Sequence, residues 1–138
     1  MSKVTVWFIK SAMVYLLLAV LLGIHMSMAG PGYPWMQIHA HFNLLGWMSM
    51  MIFGVGYHIL PRFSGQPLWS VRLSELHLWL ANAGLLGMAA GWFVLSAGGG
   101  KMLLFFFSTV EAVSVALFVV NMFKTIRAMP APPMPPKP

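Results

Sequence analysis

A chain of 138 residues with 59% hydrophobic and 7% charged side chains cannot be an ordinary soluble domain, because soluble proteins carry about 25% charged residues. Eight Lys/Arg and two acids cannot coat a globule, so most of the surface faces lipid. The net charge of +6 reads as membrane-flanking charge and not as a nucleic-acid patch. With no cysteine, disulfides, iron–sulfur clusters and thiolate ligands are excluded, which leaves five histidines as the strong soft-metal ligands.

A helix needs about 20 apolar residues to cross the hydrocarbon core. Four such runs are predicted, at Val4–Ala29, Trp35–Leu60, Leu73–Ala97 and Met102–Phe123. The breaks between them are Gly30-Pro31-Gly32-Tyr33-Pro34, the stretch from Pro61 to Arg72, and Gly98-Gly99-Gly100-Lys101, where Gly and Pro end helices for steric reasons. The expected fold is all-α, an integral membrane four-helix bundle without internal repeats. Residues 1–129 form the helical domain and 130–138 a disordered Pro-rich tail. Small residues at Ser27-Met28-Ala29 would suit a signal-peptide cleavage site, but the first span is expected to be retained as a helix.

Lys3 and Lys10 mark the start of the first span, Arg62 and Arg72 flank the second break, and Lys124, Arg127 and Lys137 follow the fourth span. Only Lys101 falls in the other two breaks, so the positive-inside rule predicts both termini in the cytoplasm. That orientation fits the inner membrane of a prokaryote. Trp7, Trp69 and Trp79 on the inner side, with Trp35 and Trp92 on the outer, suit interfacial belts.

In this topology the histidines form two layers. His25 near the end of the first span shares a depth with His39 and His41 at the start of the second, while His58 and His77 share the inner edge. Polar groups inside a bilayer are expensive and usually functional. His58 and His77 sit within a turn of a helix end, where snorkelling or a carbonyl bond explains them. Three outer imidazoles at one depth are harder to ascribe to packing. His39 and His41 lie two residues apart, about 200° of helical rotation, so they cannot grip one ion together. Each serves a different ligand, or one binds while the other is structural. A haem iron takes axial imidazoles, and a bundle can supply them from facing helices; His25 has the right depth to partner either.

Glu111 is the one acid deep inside a span, and Ser108, Glu111 and Ser114 form a stripe at three-residue spacing. The stripe is read as a proton relay, as a hydrogen-bond partner for a cofactor, or as glue between helices. Ala83, Gly87 and Gly91 make a small-xxx-small pattern expected to serve packing. The thirteen methionines are scattered and read as apolar filler.

His39-Ala40-His41-Phe42, followed by Gly46, Gly54 and Tyr57-His58-Ile59-Leu60-Pro61-Arg62-Phe63-Ser64-Gly65, resembles the tenth helix of the catalytic subunit of haem–copper oxidases, a family that includes cytochrome c oxidases and nitric oxide reductases. His77-Leu78-Trp79-Leu80 with Gly84 is similar to the start of the next helix, and Gly23-Ile24 weakly to the ninth. The chain as a whole resembles the last third of that subunit, about its helices nine to twelve. The resemblance implies that His39 matches the ligand of the high-spin haem and His41 that of the low-spin haem, and that His58 is not a haem ligand. The helices that carry the family's copper ligands, and the second ligand of the low-spin haem, have no counterpart here. A stand-alone oxygen or nitric oxide reductase is therefore not expected.

The function expected from these readings is a membrane protein binding haem, of b type, near the outer face through His41, His39 and His25, for electron transfer or diatomic gas binding. His25 would supply the missing axial ligand from the same chain or a neighbour. A homo-oligomer is expected because four helices are a thin scaffold for a macrocycle. Two alternatives stay open: a non-catalytic subunit or assembly partner of a respiratory complex, and a copper-binding protein using the outer histidines with Met26, Met28 and Met36. A redox partner is implied by the first reading, and no nucleic acid by any.

Overall fold

In hydrocarbon the backbone must satisfy its own polar groups, which restricts a spanning chain of this composition to helices. The computed structural model describes residues 1–127; the Pro-rich segment 130–138 lies outside the described residues. Four helices long and apolar enough to cross a membrane follow one another: α1 Lys3–Ala29, α2 Trp35–Phe63, α3 Val71–Ser96 and α4 Met102–Thr125. The protein is an all-helical integral membrane protein. The start of α1, the α2–α3 loop and the end of α4 share one side, here the terminal side; the α1–α2 and α3–α4 loops lie on the far side.

The helix ends depart from expectation where caps outweigh hydropathy. Pro61 is expected to stop α2 at Leu60, yet the helix runs to Phe63 with Pro61 inside its last turn. The stop is made by Gly65 at φ 60: its N–H donates to the Arg62 carbonyl at 3.1 Å and that of Gln66 to Pro61 at 3.0 Å, a Schellman cap. α3 begins two residues before the predicted Leu73, since the Ser70 hydroxyl accepts from the Leu73 N–H at 3.2 Å and acts as N-cap. The same helix ends at Ser96 rather than Ala97, closed by Gly98 at φ 84 and by the Gly99 N–H on the Val94 carbonyl at 2.9 Å.

α2 holds one feature that hydropathy does not show. Directly after His41 the backbone winds as a π-helix over Phe42–Ser49 before resuming as an α-helix at Met50. The Ser49 hydroxyl donates to the Leu44 carbonyl five residues back, at 2.8 Å, which suits the wider turn. Within this segment Gly46 is buried, and a Cβ there would lie 2.6 Å from that of Tyr15. The missing side chain lets α1 lie against α2.

α3 and α4 form the closest pair. A Cβ at Gly91 would stand 2.7 Å from the Leu104 Cα, and one at Gly87 would enter the Phe107 ring at 2.1 Å. The third small residue on this seam is Gly84 and not Ala83, which is exposed. α4 meets α2 chiefly along Met50–Phe63, so the far-side half of α2 has α1 and α3 as its neighbours. On the terminal side the four helices converge on His77 of α3, with Phe8 from α1, Phe53 from α2 and Phe118 from α4 at ring distances of 4.8, 4.7 and 5.7 Å.

The seam makes a direct prediction. Gly91→Val should force the α3 and α4 backbones apart and cost about 1–3 kcal/mol, lowering the midpoint of detergent unfolding followed by circular dichroism. Ala83→Val, on the exposed face, should leave the midpoint unchanged.

Candidate functional site

The His-x-His pair stands on the last α-helical turn of α2 before the π segment, and its two rings go to different neighbours. The His39 Nδ1 hydrogen-bonds the Ala19 carbonyl of α1 at 2.9 Å. A carbonyl only accepts, so this nitrogen carries the proton and Nε2 is left with its lone pair. Asn43, one turn on, donates its amide to that Nε2 at 3.3 Å and also to the His39 carbonyl at 2.9 Å. Gly23 gives the ring room: a Cβ there would touch His39 Cε1 at 3.4 Å. His39 is thereby bonded at both nitrogens.

His41 is bonded at one nitrogen only. Its Nδ1 donates to the Gln37 carbonyl one turn back, at 2.9 Å, and its ring lies 4.5 Å from that of Trp92 on α3. The neutral imidazole therefore presents an Nε2 lone pair, and among the described residues no hydrogen bond occupies it. A carbonyl on the distal nitrogen is the arrangement that orients histidine ligands of metals. On the same face, the Gln37 Oε1 is buried without a partner. Trp92, expected in the outer belt, is 8% exposed and walls this site instead of facing lipid.

His25 is exposed and packs edge-on to Trp35, 4.9 Å between rings. Trp35 in turn meets Phe93 at 5.0 Å. Among the described residues no group of three His, Cys, Asp or Glu converges to hold an ion. The far-side cavity of about 290 Å³ between α1, α2 and α3 is lined by Leu18, Leu21, Trp35, Ile38, Phe42 and Phe93 among others, with no histidine. One chain thus offers single imidazoles on separate faces.

The Glu111 stripe is not a connected relay. Glu111 and Ser114 are buried and Ser108 is partly buried, but the Ser114 hydroxyl donates to the Glu111 backbone carbonyl at 2.8 Å, not to its carboxyl. Ser108 makes no side-chain hydrogen bond among the described residues. The carboxyl packs against Gly84, where a Cβ would come within 2.5 Å of Oε2, and that oxygen is buried without a partner. From Gly84 to Trp92 the helix rises about 12 Å, so Glu111 sits well below the level of His41.

The terminal-side histidines differ from one another. His58 hydrogen-bonds Arg62 one turn on, as expected of a histidine near a helix end. His77 does not snorkel: it is 0% exposed, because its face of α3 points into the bundle. Its Nδ1 is hydrogen-bonded to the Tyr57 hydroxyl at 3.0 Å, and its Nε2 is buried without a partner among aromatic rings. Gln37 and Asn43 do not stand out in the sequence, where Trp92 reads as a belt residue and Tyr57 only as part of a motif. The first two carry a readable signal, lying four residues from His41 and His39 on the same faces.

A 69-residue stretch, 49% of this chain and 13% of the relative, is 36% identical to cytochrome c oxidase subunit 1 of Rhodobacter capsulatus. About half of this chain is homologous to oxidase subunit 1. A cytochrome c oxidase subunit 1 homolog of Agrobacterium tumefaciens (strain T37) is 39% identical over 57 residues, 41% of this chain and 11% of that protein. The Cbb3-type cytochrome c oxidase subunit CcoN1 of Stutzerimonas stutzeri is 33% identical over 69 residues, 49% of this chain and 15% of that protein. The chain is therefore subunit 1-like while matching only 11% to 15% of the length of these relatives. No family model and no solved structure matches it.

Removing the Tyr57 hydroxyl should expose the burden His77 places on the core. Tyr57→Phe leaves both ring nitrogens unpartnered in an apolar cage and should cost about 1–3 kcal/mol, read as a lower unfolding midpoint in detergent. His58→Ala, which loses only the bond to Arg62, should stay near wild type.

Proposed function

We propose that this chain is a membrane haem protein that holds haem b in the far-side half of the bilayer through the His41 Nε2. The observation that carries the reading is the free Nε2 of a ring whose Nδ1–H is fixed on the Gln37 carbonyl. The homology of half the chain to oxidase subunit 1 supports it. Haem, when bound, supplies one-electron redox chemistry or an iron that takes a diatomic gas.

The residues present fit haem through one imidazole, His41, which would hold the iron by its Nε2. Gln37 orients the His41 ring and fixes its tautomer, and Trp92 limits its rotation. The orphaned Gln37 Oε1 is an acceptor suited to a protonated group on a ligand edge. His39 is the second candidate, available once Asn43 turns its amide away from Nε2. His25 is exposed and therefore suited to reach a neighbouring copy. His41 of one chain and His25 of another would together hold the iron in this scheme, and the working unit would then be a homo-oligomer. Glu111, Ser108 and Ser114 lie deeper and act on packing or on proton supply rather than on the iron ligand. The positive-inside pattern puts the terminal side in the cytoplasm and the haem near the outer face of a bacterial inner membrane, where a redox partner or a respiratory complex delivers electrons.

Purification in mild detergent with a pyridine haemochrome assay tests the reading. The expected result is stoichiometric haem b with sharp reduced α and β bands. His41→Ala should abolish haem, and His25→Ala should retain it with a broad, gas-sensitive spectrum. His39→Ala should mainly loosen the α1–α2 contact. A protein that takes up no haem when it is supplied during expression would overturn the proposal in favour of a docking subunit.

A further inference from the structure

On the terminal side a second pocket lies far from the histidine pair. We infer that this pocket binds the phosphate headgroup of an anionic phospholipid. It encloses about 240 Å³ between the α2–α3 loop and the end of α4, and its lining includes Gln66, Leu68, Trp69, Lys124, Thr125 and Arg127.

The walls are fixed by side chains otherwise out of place in a membrane span. Asn121 is 0% exposed; its Oδ1 accepts from the Ser70 N–H at 3.1 Å and its Nδ2 donates to the Ser70 carbonyl at 2.8 Å. The Thr125 hydroxyl accepts from the Trp69 N–H at 3.0 Å and donates to the Asn121 carbonyl at 2.7 Å. The three bonds to Trp69 and Ser70 clamp the loop to α4, and the fourth orients the Thr125 hydroxyl within the helix, so the pocket is present before any ligand arrives. Preorganisation of this kind lowers the cost of binding.

The charge selects an anion. Lys124 and Arg127 both line the pocket, while the chain's two acids, Glu75 and Glu111, are not among the lining residues. Glu111 is buried against Gly84, and Glu75 lines a different cavity, beside Lys3. The Lys124 ammonium is held over the Trp69 ring, 5.2 Å from its centre, which keeps the cation at the rim rather than in bulk water.

Depth and continuity favour a lipid over free phosphate. The pocket closes the end of a membrane span, at the level where exposed Trp69 would lie in the headgroup region. Val120 and Val113, one and three turns along the same face of α4 from Lys124, are 45% and 47% exposed and give acyl chains an apolar track from the pocket into the bilayer. Basic pockets at this depth between spanning helices are the setting in which anionic headgroups bind.

Native mass spectrometry of the full chain, delipidated in mild detergent and offered phosphatidylglycerol or phosphatidylcholine, tests the inference. Phosphatidylglycerol should be retained about tenfold more strongly. The double variant Lys124→Gln/Arg127→Gln should reduce that binding to the phosphatidylcholine level. Lys124→Arg should preserve it, as should Lys101→Gln on the far side. Excess inorganic phosphate should not displace the lipid. Equal retention of the two lipids, full retention by the double variant, or displacement by inorganic phosphate would each overturn it.

Discussion

Inside the bilayer a polar group has only other protein groups to bond, and the arrangement of this protein follows from how its few polar side chains meet that demand. His39 takes a carbonyl of α1, and the Tyr15 hydroxyl reaches Asn82 of α3 at 3.2 Å. Tyr57 takes His77, and Asn121 takes both backbone groups of Ser70. Each of these bonds joins two helices or a loop to a helix, so they fix which faces meet. Gly46, Gly87 and Gly91 then let the backbones approach closely enough for dispersion to hold them, which matters because lipid supplies no hydrophobic drive between helices.

The buried atoms that miss this settlement are informative. Gln37 Oε1, His77 Nε2 and Glu111 Oε2 are buried without partners, and they lie at three depths. The His77 nitrogen is ringed by aromatic faces, which offer only a weak substitute for a hydrogen bond. The Glu111 oxygen rests on a glycine in mid-span. Gln37 alone stands beside an imidazole with a free nitrogen, on a face that has no close contact with α4. That conjunction separates a candidate ligand site from two buried packing sites, and it favours His41 over His39, whose Nε2 is already engaged by Asn43.

Much of this was legible in the residues. Length and hydropathy give four spans, and helical rotation alone separates His39 from His41. The spacing of Gly87 and Gly91 reads as a close seam. What was not legible is the phase of each helix. Spans apolar on every side carry no polar stripe to say which face is buried, so Ala83 could not be told from Gly84, nor lipid-facing Trp79 from buried Trp92. For the same reason His77 read as an interfacial residue although it is at the centre of the bundle. The π segment after His41 was hidden because a wider turn leaves no trace in a uniformly apolar run. Helix ends moved by two or three residues where Ser70 and Gly65 supplied caps stronger than the proline signal at Pro61.

The account turns on one atom, the His41 Nε2, and cavity rescue addresses it most directly. His41→Gly, purified with haem supplied, would be compared with and without added imidazole by reduced-minus-oxidised visible spectroscopy. The account predicts loss of the haem bands in the variant and their return when free imidazole occupies the vacated position. A variant that keeps wild-type bands without imidazole would contradict it.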